Sequence, residues 1–314
     1  MRALVTGATG FIGRHLLRHL DHPVVLTRDP GRAEDLLGDV QAIGWNPASG
    51  PPPREAFDGV EAIFHLAGES VAEGRWNRAK KDRIRLSREI GTRNLVLGIE
   101  RSASRPKCLV STSAVGYYGS RGDTVLDENA QAADDFLGRV CLVWESEAKR
   151  AAALGVRVVN PRVGVVLGDD GGALAKMLPL FKLGLGGRLG NGRQWMPWVH
   201  VDDVVGLMLH AADHESVRGP MNAVSPNPVT NREFTRELGA VLHRPTIFPA
   251  PALGLRLMLG EFADILLASQ RVMPRVALET GYHFHYADLE EALRASVAKK
   301  TPAAEHGHHP VQAH

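Results

Sequence analysis

The stretch Thr6-Gly-Ala-Thr-Gly-Phe-Ile-Gly13 lies between an apolar run at residues 3–5 and a helical pattern at residues 11–20. Its glycines recur at every third position, a spacing close to that of dinucleotide-binding turns. Glycine lets the backbone turn tightly and approach a pyrophosphate, and the start of the following helix offers free N–H groups. The motif therefore predicts a nucleotide site, although an ordinary strand–helix turn can use the same glycines.

Apolar runs and helical patterns alternate along the first half of the chain. Uninterrupted apolar runs separated by helices indicate a parallel sheet that is covered on both faces. Residues 47–53, Pro-Ala-Ser-Gly-Pro-Pro-Pro, disfavour a helix, so one crossover is predicted to lack it. The predicted fold class is α/β with a doubly wound parallel sheet. Its strands are expected at residues 3–5, 24–26, 41–45, 62–66, 108–111 and 156–159, and its helices at residues 11–20, 76–100 and 134–154.

The composition changes after about residue 165, where glycines become frequent, and helical patterns interrupted by prolines follow from Asn231 onward. We therefore expect a smaller, mostly helical domain for the substrate. The nucleotide-binding domain is predicted to span residues 1–163 plus about 198–225, and the second domain residues 164–197 and 226–298. Residues 299–314 are predicted to be a disordered tail.

The overall composition is that of an ordinary globular protein, with 314 residues of which 44% are hydrophobic and 23% charged. A net charge of +2 gives no reason to expect a nucleic-acid or membrane partner, because such proteins usually carry a larger basic surplus. The two cysteines, Cys108 and Cys141, form no motif, and no N-terminal segment resembles a secretory signal. We expect a cytoplasmic protein whose cysteines are reduced and which has no metal site. A homodimer is possible.

The end of the second predicted strand decides which nucleotide is expected, because the adenosine ribose lies there in dinucleotide-binding folds, about 20 residues beyond the first glycine. Arg28 lies 21 residues after Gly7 (28 − 7). A guanidinium at this place could hold a 2′-phosphate, whereas a carboxylate would accept the free ribose hydroxyls. Asp29 is the competing acid, and Arg14 is either a second cation or a solvated helix residue. The sequence favours NADP(H) over NAD(H).

Several motifs together resemble the extended short-chain dehydrogenase/reductases, the superfamily of the nucleotide-sugar epimerases and dehydratases. They are the glycine stretch at residues 6–13, His65-Leu-Ala-Gly68, Ser111-Thr-Ser-Ala114 and Trp198-Val-His-Val-Asp-Asp203. Other pieces resemble one atypical branch, the epimerase-family proteins, whose substrates are mostly undefined. They are Gly68-Glu-Ser-Val71, Arg75-Trp76, Ser113-Ala-Val-Gly-Tyr-Tyr-Gly119, Trp144-Glu145, Gly192-Arg-Gln194 and Gln270-Arg-Val-Met-Pro-Arg275. The resemblance covers residues 1 to about 297.

This resemblance implies a Rossmann-type domain with a smaller C-terminal substrate domain and a cofactor that lies across the strand ends. The glycine turn would contact the pyrophosphate, Arg28 the ribose phosphate, and residues after the later strands the ribose and nicotinamide. The residues carried over as cofactor-binding are Gly7, Thr9, Gly10, Phe11, Ile12, Gly13, Arg28, Leu66, Ala67, Gly68, Glu69, Arg88, Ser111, Pro161, Arg162, Val163 and Gly164.

The catalytic pair of the superfamily, Tyr-x-x-x-Lys on one helix, is missing. The matching helix at residues 139–149 has no tyrosine, and the expected positions hold Cys141 and Glu145 or, one residue earlier, Val140 and Trp144. The usual mechanism therefore cannot be transferred.

Other residues could replace the missing pair. Ser113 could hydrogen-bond a substrate carbonyl, and Tyr117 or Tyr118 could act as the acid/base, although either phenol could instead be a packing residue. Glu69 is a further acid/base candidate, and a solvated carboxylate is its alternative.

Two classes of function follow. One is an NADP(H)-dependent oxidoreductase or epimerase-like enzyme that acts on an unknown small hydroxyl or carbonyl substrate. The retained Ser113 supports it, as does a polar and aromatic segment that could face a substrate, with Arg193, Gln194, Trp195 and Trp198. The other is a catalytically silent NADP(H)-binding redox sensor or scaffold, which the absent Tyr-x-x-x-Lys supports. We favour the enzyme.

Overall fold

The apolar runs of the first half form one parallel sheet in the computed structural model, which describes residues 1–168 and 170–298. Its main strands are β1 Ala3–Thr6, β2 Val24–Thr27, β3 Gln41–Gly44, β4 Ala62–His65, β5 Cys108–Ser111, β6 Arg157–Val163 and β7 Gly219–Ala223. Their order is β7-β6-β5-β4-β1-β2-β3, and the short strand Ser113–Ala114 also pairs with β6. The predicted fold class, a Rossmann-type doubly wound sheet, is confirmed. The strand order reverses between β1 and β4, where such folds bind ligands at the carboxyl ends.

Helices cover both faces of this sheet. In chain order they are α1 Phe11–Leu17, α2 Pro30–Leu37, α3 Arg78–Arg101, α4 Phe136–Lys149, α5 Gly172–Lys182, α6 Val201–Asp213, α7 Asn231–Leu242, α8 Ala252–Leu259, α9 Phe262–Leu267, α10 Arg275–Glu279 and α11 Leu289–Val297. Ala3 and Val5 of β1 pack in the layer of α1 and α6, whereas Leu4 between them packs in the layer of α3. This alternation buries each side chain fully, which stabilises the fold by roughly 1.5–3 kcal/mol for each large one.

The six predicted strands are all present, and the elements that were not predicted include the strand β7 and the helix α2. The strand β7 reads Gly-Pro-Met-Asn-Ala and therefore lacks a continuous apolar run. The helix α2 begins with Pro30, and the Asp29 side chain caps it by accepting a hydrogen bond from the Arg32 N–H at 3.1 Å. The crossover from β3 to β4 contains only a 3₁₀ turn at Arg54–Phe57 among its helical elements, as its prolines predict.

The turn between β1 and α1 requires glycine at two positions. Gly7 has φ of +73°, and a Cβ atom there would lie 2.8 Å from the Ala67 nitrogen. A Cβ atom on Gly13 would lie 2.4 Å from the Gly7 carbonyl oxygen. The turn therefore packs directly against the loop after β4 and against the first turn of α1, which brings the two strand ends at the reversal point together.

The second half of the chain adds a separate apolar cluster, in which α5, α7 and α11 surround the fully buried Trp198. Residues 219–223 return to the main sheet as β7. The division into two domains stays a prediction, and the predicted tail at residues 299–314 lies outside the described residues. Within residues 1–168 and 170–298, no helix is long and apolar enough to cross a bilayer.

A buried histidine connects the centre of the sheet to α3. His65, at the end of β4, shares hydrogen bonds with the Thr6 hydroxyl at 2.7 Å and the Thr92 hydroxyl at 3.0 Å. The Thr6 hydroxyl also accepts a hydrogen bond from the Ala67 N–H at 3.2 Å, so the same contacts fix the loop after β4. Burial, with a smaller effect of the Arg88 charge, lowers the pKa of His65 to about 4. His65 is therefore neutral in the folded protein near neutral pH.

This depressed pKa predicts a specific loss of stability in mild acid. The unfolded chain binds a proton at residue 65 below about pH 6.5, whereas the folded chain does so only near pH 4, so stability falls as the pH falls through this window. Between pH 7 and pH 5, wild type should lose about 2 kcal/mol more of its free energy of unfolding than His65→Gln does. Urea denaturation of both proteins at several pH values measures this difference, and parallel pH dependences would contradict it.

Candidate functional site

A cavity of about 410 Å³ lies at the carboxyl edge of the sheet, on both sides of the reversal point. Four segments at or after the carboxyl ends of strands β1 to β4 line it, at residues 7–10, 25–28, 45–48 and 66–69, together with Ser87 of α3. Of the residues expected to bind a cofactor, Gly7, Thr9, Gly10, Arg28, Leu66, Ala67, Gly68 and Glu69 line this cavity. The sequence analysis did not predict that residues 45–48 line the cavity. Their place directly after β3, at the same edge of the sheet, could have indicated it.

Only the first part of the glycine turn, residues 7–10, lines the cavity. No side chain caps α1, so its first N–H groups are not occupied by a capping residue. Phe11 packs its ring against Gly168, Gly171 and Gly172. Phe11, Ile12 and Gly13 are thus absent from the cavity lining, and Gly13 acts through close packing of the turn.

The two charged residues at the end of β2 have different environments. The exposed guanidinium of Arg28 makes no hydrogen bond or ion pair with residues 1–168 and 170–298. The Asp29 carboxylate caps α2 and is therefore already engaged. The cation predicted as a second candidate, Arg14, donates to the Thr9 carbonyl at 3.1 Å and pairs with Asp170 at 3.3 Å. Within the described part of the chain, Arg28 is consequently a cation at this strand end that no protein group engages.

The loop after β4 is held from behind by α3. Arg88 donates to the Glu69 carbonyl at 3.0 Å, and the Glu69 N–H donates to the Ser87 hydroxyl at 3.0 Å. The Glu69 carboxylate accepts from Lys80 at 2.7 Å, and this contact, with that of Arg83, holds the pKa of Glu69 below its usual range. Glu69 is therefore ionised and paired, which argues against the acid/base role considered above. Arg88 is half-buried and supports the loop from outside the cavity lining.

The polar residues beyond β5 form a buried network around an ion pair. Ser113 donates a hydrogen bond to the Glu145 carboxylate at 2.6 Å. The same carboxylate accepts two hydrogen bonds from Arg162, each at 2.9 Å. The side chains of this pair are only 3% and 14% exposed, so the attraction is little screened by water. Glu145 and Arg162 thus hold the Ser113 hydroxyl in one orientation.

The two tyrosines predicted as acid/base candidates meet Arg162 differently. Tyr118 is fully buried, donates to the Asn222 side-chain oxygen at 2.7 Å and accepts from Arg162 at 2.9 Å. Burial raises the pKa of Tyr118 to about 12. Tyr118 therefore packs inside the protein, which argues against the acid/base role predicted for it. Tyr117 lies with its ring 3.5 Å from the Arg162 guanidinium, and its partly exposed phenol makes no hydrogen bond within the described part of the chain.

The structure also shows which face of α4 meets this network. Cys141 and Glu145 face Ser113, whereas Val140 packs with Trp76 and Ile84, and Trp144 lies beneath Arg88. Burial raises the pKa of the Cys141 thiol to about 11, so this thiol stays protonated near neutral pH. The face that would carry the superfamily's tyrosine and lysine therefore presents a neutral thiol and a carboxylate.

The remaining predicted cofactor residues lie in or next to the sheet, outside the cavity. Ser111 is fully buried, and its hydroxyl has no hydrogen-bond partner among the described residues, so its side chain cannot reach a ligand without rearrangement. Pro161 and Val163 belong to β6, and Gly164 follows it closely packed against the Pro197 carbonyl. The side chain of Arg162, which was also carried over as cofactor-binding, holds Glu145.

The polar and aromatic segment expected to face a substrate is largely occupied by internal contacts. Trp198 is fully buried and donates to the Asn227 carbonyl at 3.0 Å. The Gln194 amide donates to the Leu189 carbonyl, and Trp195 lies beneath the Arg271 guanidinium, 4.5 Å from it. None of residues 184–198 lines the cavity. These contacts argue against a direct role of Trp198 and Gln194 in contacting a substrate.

The comparison with known proteins agrees with this arrangement. The model of the NAD dependent epimerase/dehydratase family matches residues 3–223, which include all seven main strands. The chain belongs to this family. A second model, for a domain of unknown function (DUF1731), matches residues 250–296. The resemblance to epimerase-family proteins found in the sequence is confirmed.

Relatives of this family match nearly the whole chain. An Arabidopsis thaliana protein named epimerase family protein SDR39U1 homolog, chloroplastic, is 42% identical over 94% of this chain and 86% of its own. The Bacillus subtilis epimerase family protein YfhF is 35% identical over 96% and 99%. A crystal structure of human epimerase family protein SDR39U1 with NADPH superposes with a TM-score of 0.84, at 35% identity, over 95% of this chain and 99% of that one.

The buried ion pair predicts a strong effect of removing one partner. Glu145→Ala leaves Arg162 as an uncompensated buried charge and should lower the free energy of unfolding by about 3–5 kcal/mol. Glu290→Ala is the matched control, because Glu290 pairs with Arg294 on the exposed face of α11 and should have a far smaller effect. Urea denaturation of the three proteins measures both changes. Similar small losses in the two variants would show that the pair does not stabilise the fold.

Proposed function

We propose that the protein is an NADP(H)-dependent oxidoreductase or epimerase-like enzyme of the extended short-chain dehydrogenase/reductase type. Its substrate would be a small compound with a hydroxyl or carbonyl group. The observation that carries the proposal is the free guanidinium of Arg28 in the cavity, next to an acid that is engaged as a helix cap. The NADPH in the structure of the human relative supports the same choice. The cytoplasmic location expected from the sequence belongs to this proposal.

The residues around the cavity fit a dinucleotide phosphate. Gly7 and Gly10 lack side chains where a pyrophosphate would approach the backbone, and a Cβ atom at Gly7 would already collide with the loop after β4. A 2′-phosphate beside Arg28 would meet an unpaired cation, and such charge-assisted hydrogen bonds are the stronger kind. Bound in this way, NADP(H) would supply or accept the hydride of the reaction.

In this proposal Ser113 handles the substrate oxygen. Its hydroxyl would hydrogen-bond that oxygen and pass a proton between it and the Glu145 carboxylate, 2.6 Å away. Arg162 keeps the Glu145 carboxylate oriented toward Ser113, so that it lies in position to accept a proton when a hydroxyl is oxidised. Tyr117 is the second candidate, because its phenol is partly exposed and makes no hydrogen bond within the described residues.

The alternative function is a catalytically silent NADP(H)-binding redox sensor or scaffold. Two observations favour it: α4 has no tyrosine and presents Cys141 and Glu145 to Ser113, and Ser113 is almost fully buried. A sensor would bind the cofactor through the same cavity, so cofactor binding alone does not separate the two functions. Turnover of a substrate does.

The cofactor choice predicts a selective effect at one residue. Arg28→Ala should weaken NADPH binding by about tenfold or more while leaving NADH binding nearly unchanged, because only NADPH carries the 2′-phosphate. Arg218→Ala is the control, since Arg218 precedes β7 at the opposite edge of the sheet. Calorimetric titration of both cofactors measures the four affinities. Equal affinities of wild type for NADPH and NADH would remove the basis of the proposal.

The reaction is tested by a ligand screen followed by kinetics. Thermal-shift screening of hydroxyl and carbonyl compounds with NADPH present should reveal a compound that stabilises the complex further. For such a compound, Ser113→Ala should lower kcat/KM by at least about a hundredfold and Tyr117→Phe by less, with NADPH affinity retained. Full activity of both Ser113→Ala and Tyr117→Phe would disprove the assignment of catalytic residues, but not the proposal that the protein is an enzyme. Tight NADPH binding with no second ligand and no turnover would instead favour the sensor.

A further inference from the structure

Two segments in the second half of the chain expose large apolar side chains. Fourteen such side chains are exposed among the described residues, and eight of them lie within residues 180–188 and 244–258, which we call the leucine-rich face. In the first segment Leu180, Leu183 and Leu185 are 56%, 71% and 53% exposed. The other six are scattered over the rest of the chain. Scattered single side chains are normal on a protein surface, whereas a concentration of this kind marks an interaction surface.

The second segment contains a helix that lacks a packing partner on one face. None of the residues of α8 is buried, and Leu253, Leu257 and Met258 are 70%, 72% and 78% exposed. Ile247 and Phe248, just before this helix, are 72% and 54% exposed. A surface helix of a globular protein normally buries an apolar stripe against the core. The exposed side of α8 is therefore suited to contact something outside the chain.

Hydrogen bonds place the two segments side by side. The Ala250 N–H donates to the Arg188 carbonyl at 2.9 Å, and the Gly190 N–H donates to the Ala250 carbonyl at 2.8 Å. Arg244 donates to the Lys182 carbonyl at 2.8 Å. The two segments are therefore neighbours, and the eight exposed apolar side chains are concentrated in one region of the protein.

The leucine-rich face and the residues that flank its two segments are cationic, although the net charge of the whole chain is only +2. Residues 171–201 and 238–260 contain no Asp or Glu, although the whole chain has 35 acidic residues against 37 Lys and Arg. The cations within them are Lys176, Lys182, Arg188, Arg193, Arg244 and Arg256. Arg256 pairs with Asp264 of α9, whereas Lys182 and Arg188 make no ion pair with residues 1–168 and 170–298.

We propose that the leucine-rich face docks on the surface of a bilayer that contains anionic phospholipid. Exposed Leu, Ile, Met and Phe side chains would enter the boundary between headgroups and acyl chains, and Lys182 and Arg188 would contact the anionic headgroups. A second copy of the chain fits this face less well. Two-fold pairing brings the same surface of both copies together, so cations would meet cations without a carboxylate in either segment.

The test is sedimentation of the full chain with vesicles. Wild type should sediment with equal parts of phosphatidylcholine and phosphatidylglycerol, and not with phosphatidylcholine alone or in about 1 M NaCl, where the screening length falls to about 3 Å. The double variant Leu257→Ser/Met258→Ser should bind at least about tenfold more weakly. Lys182→Glu/Arg188→Glu should lose about tenfold or more. These side chains are exposed, and circular dichroism with unchanged NADPH binding verifies that the variants fold.

A matched control removes exposed apolar side chains elsewhere. Leu36→Ser/Leu278→Ser changes side chains on α2 and α10 that are 55% and 47% exposed, and it should bind vesicles like wild type. Equal loss in this control, equal binding to neutral vesicles, or no binding to any vesicle would overturn the proposal. Light scattering measures whether the protein is a dimer in solution. If wild type is a dimer and Leu257→Ser/Met258→Ser is a monomer, the leucine-rich face binds a second copy, and the bilayer proposal is wrong.

Discussion

The ion pair between Glu145 and Arg162 is the interaction on which the arrangement beyond β5 depends. It joins α4 to β6 inside the protein, where removing two charges from water is unfavourable unless the geometry is good and the remaining polar atoms are satisfied. Both conditions hold, because the guanidinium binds the carboxylate twice and its remaining nitrogen reaches the Tyr118 hydroxyl and the Glu128 carbonyl. The positions of Ser113 and Tyr117 follow from this pair.

The two halves of the candidate site differ in how their charges are used. At the end of β2, Arg28 is exposed and has no partner among residues 1–168 and 170–298, which keeps it available for a ligand. At the other end, Arg162 is buried, Arg88 is half-buried, and both already bind protein atoms. The end that contains Arg28 can therefore bind an anion from solvent. The second end holds neutral and charged groups of the protein in fixed positions.

Much of the fold could be predicted from the sequence because its signals are local. Continuous apolar runs gave six strands, and the glycine spacing gave the turn before α1. The strand β7 was missed because the sheet tolerates Gly219 and Pro220 at its edge, where no neighbour requires an apolar run. The roles of Tyr118 and Ser111 depend on burial, and the pairing of Glu145 with Arg162 joins residues of different elements. Such tertiary contacts leave no periodic pattern in the sequence.

The cap of α2 has a consequence for how cofactor preference can change in this family. Asp29 stands where an acid that recognises an unphosphorylated ribose would need only a small shift, but its carboxylate holds the Arg32 N–H at the start of the helix. Turning Asp29 toward a ribose would therefore loosen α2, which follows β2 at the wall of the cavity. If the proposed cofactor choice holds, Arg28→Ala alone would weaken the hold on a 2′-phosphate without freeing Asp29 for the ribose hydroxyls. Recruiting Asp29 itself would require a new cap for α2.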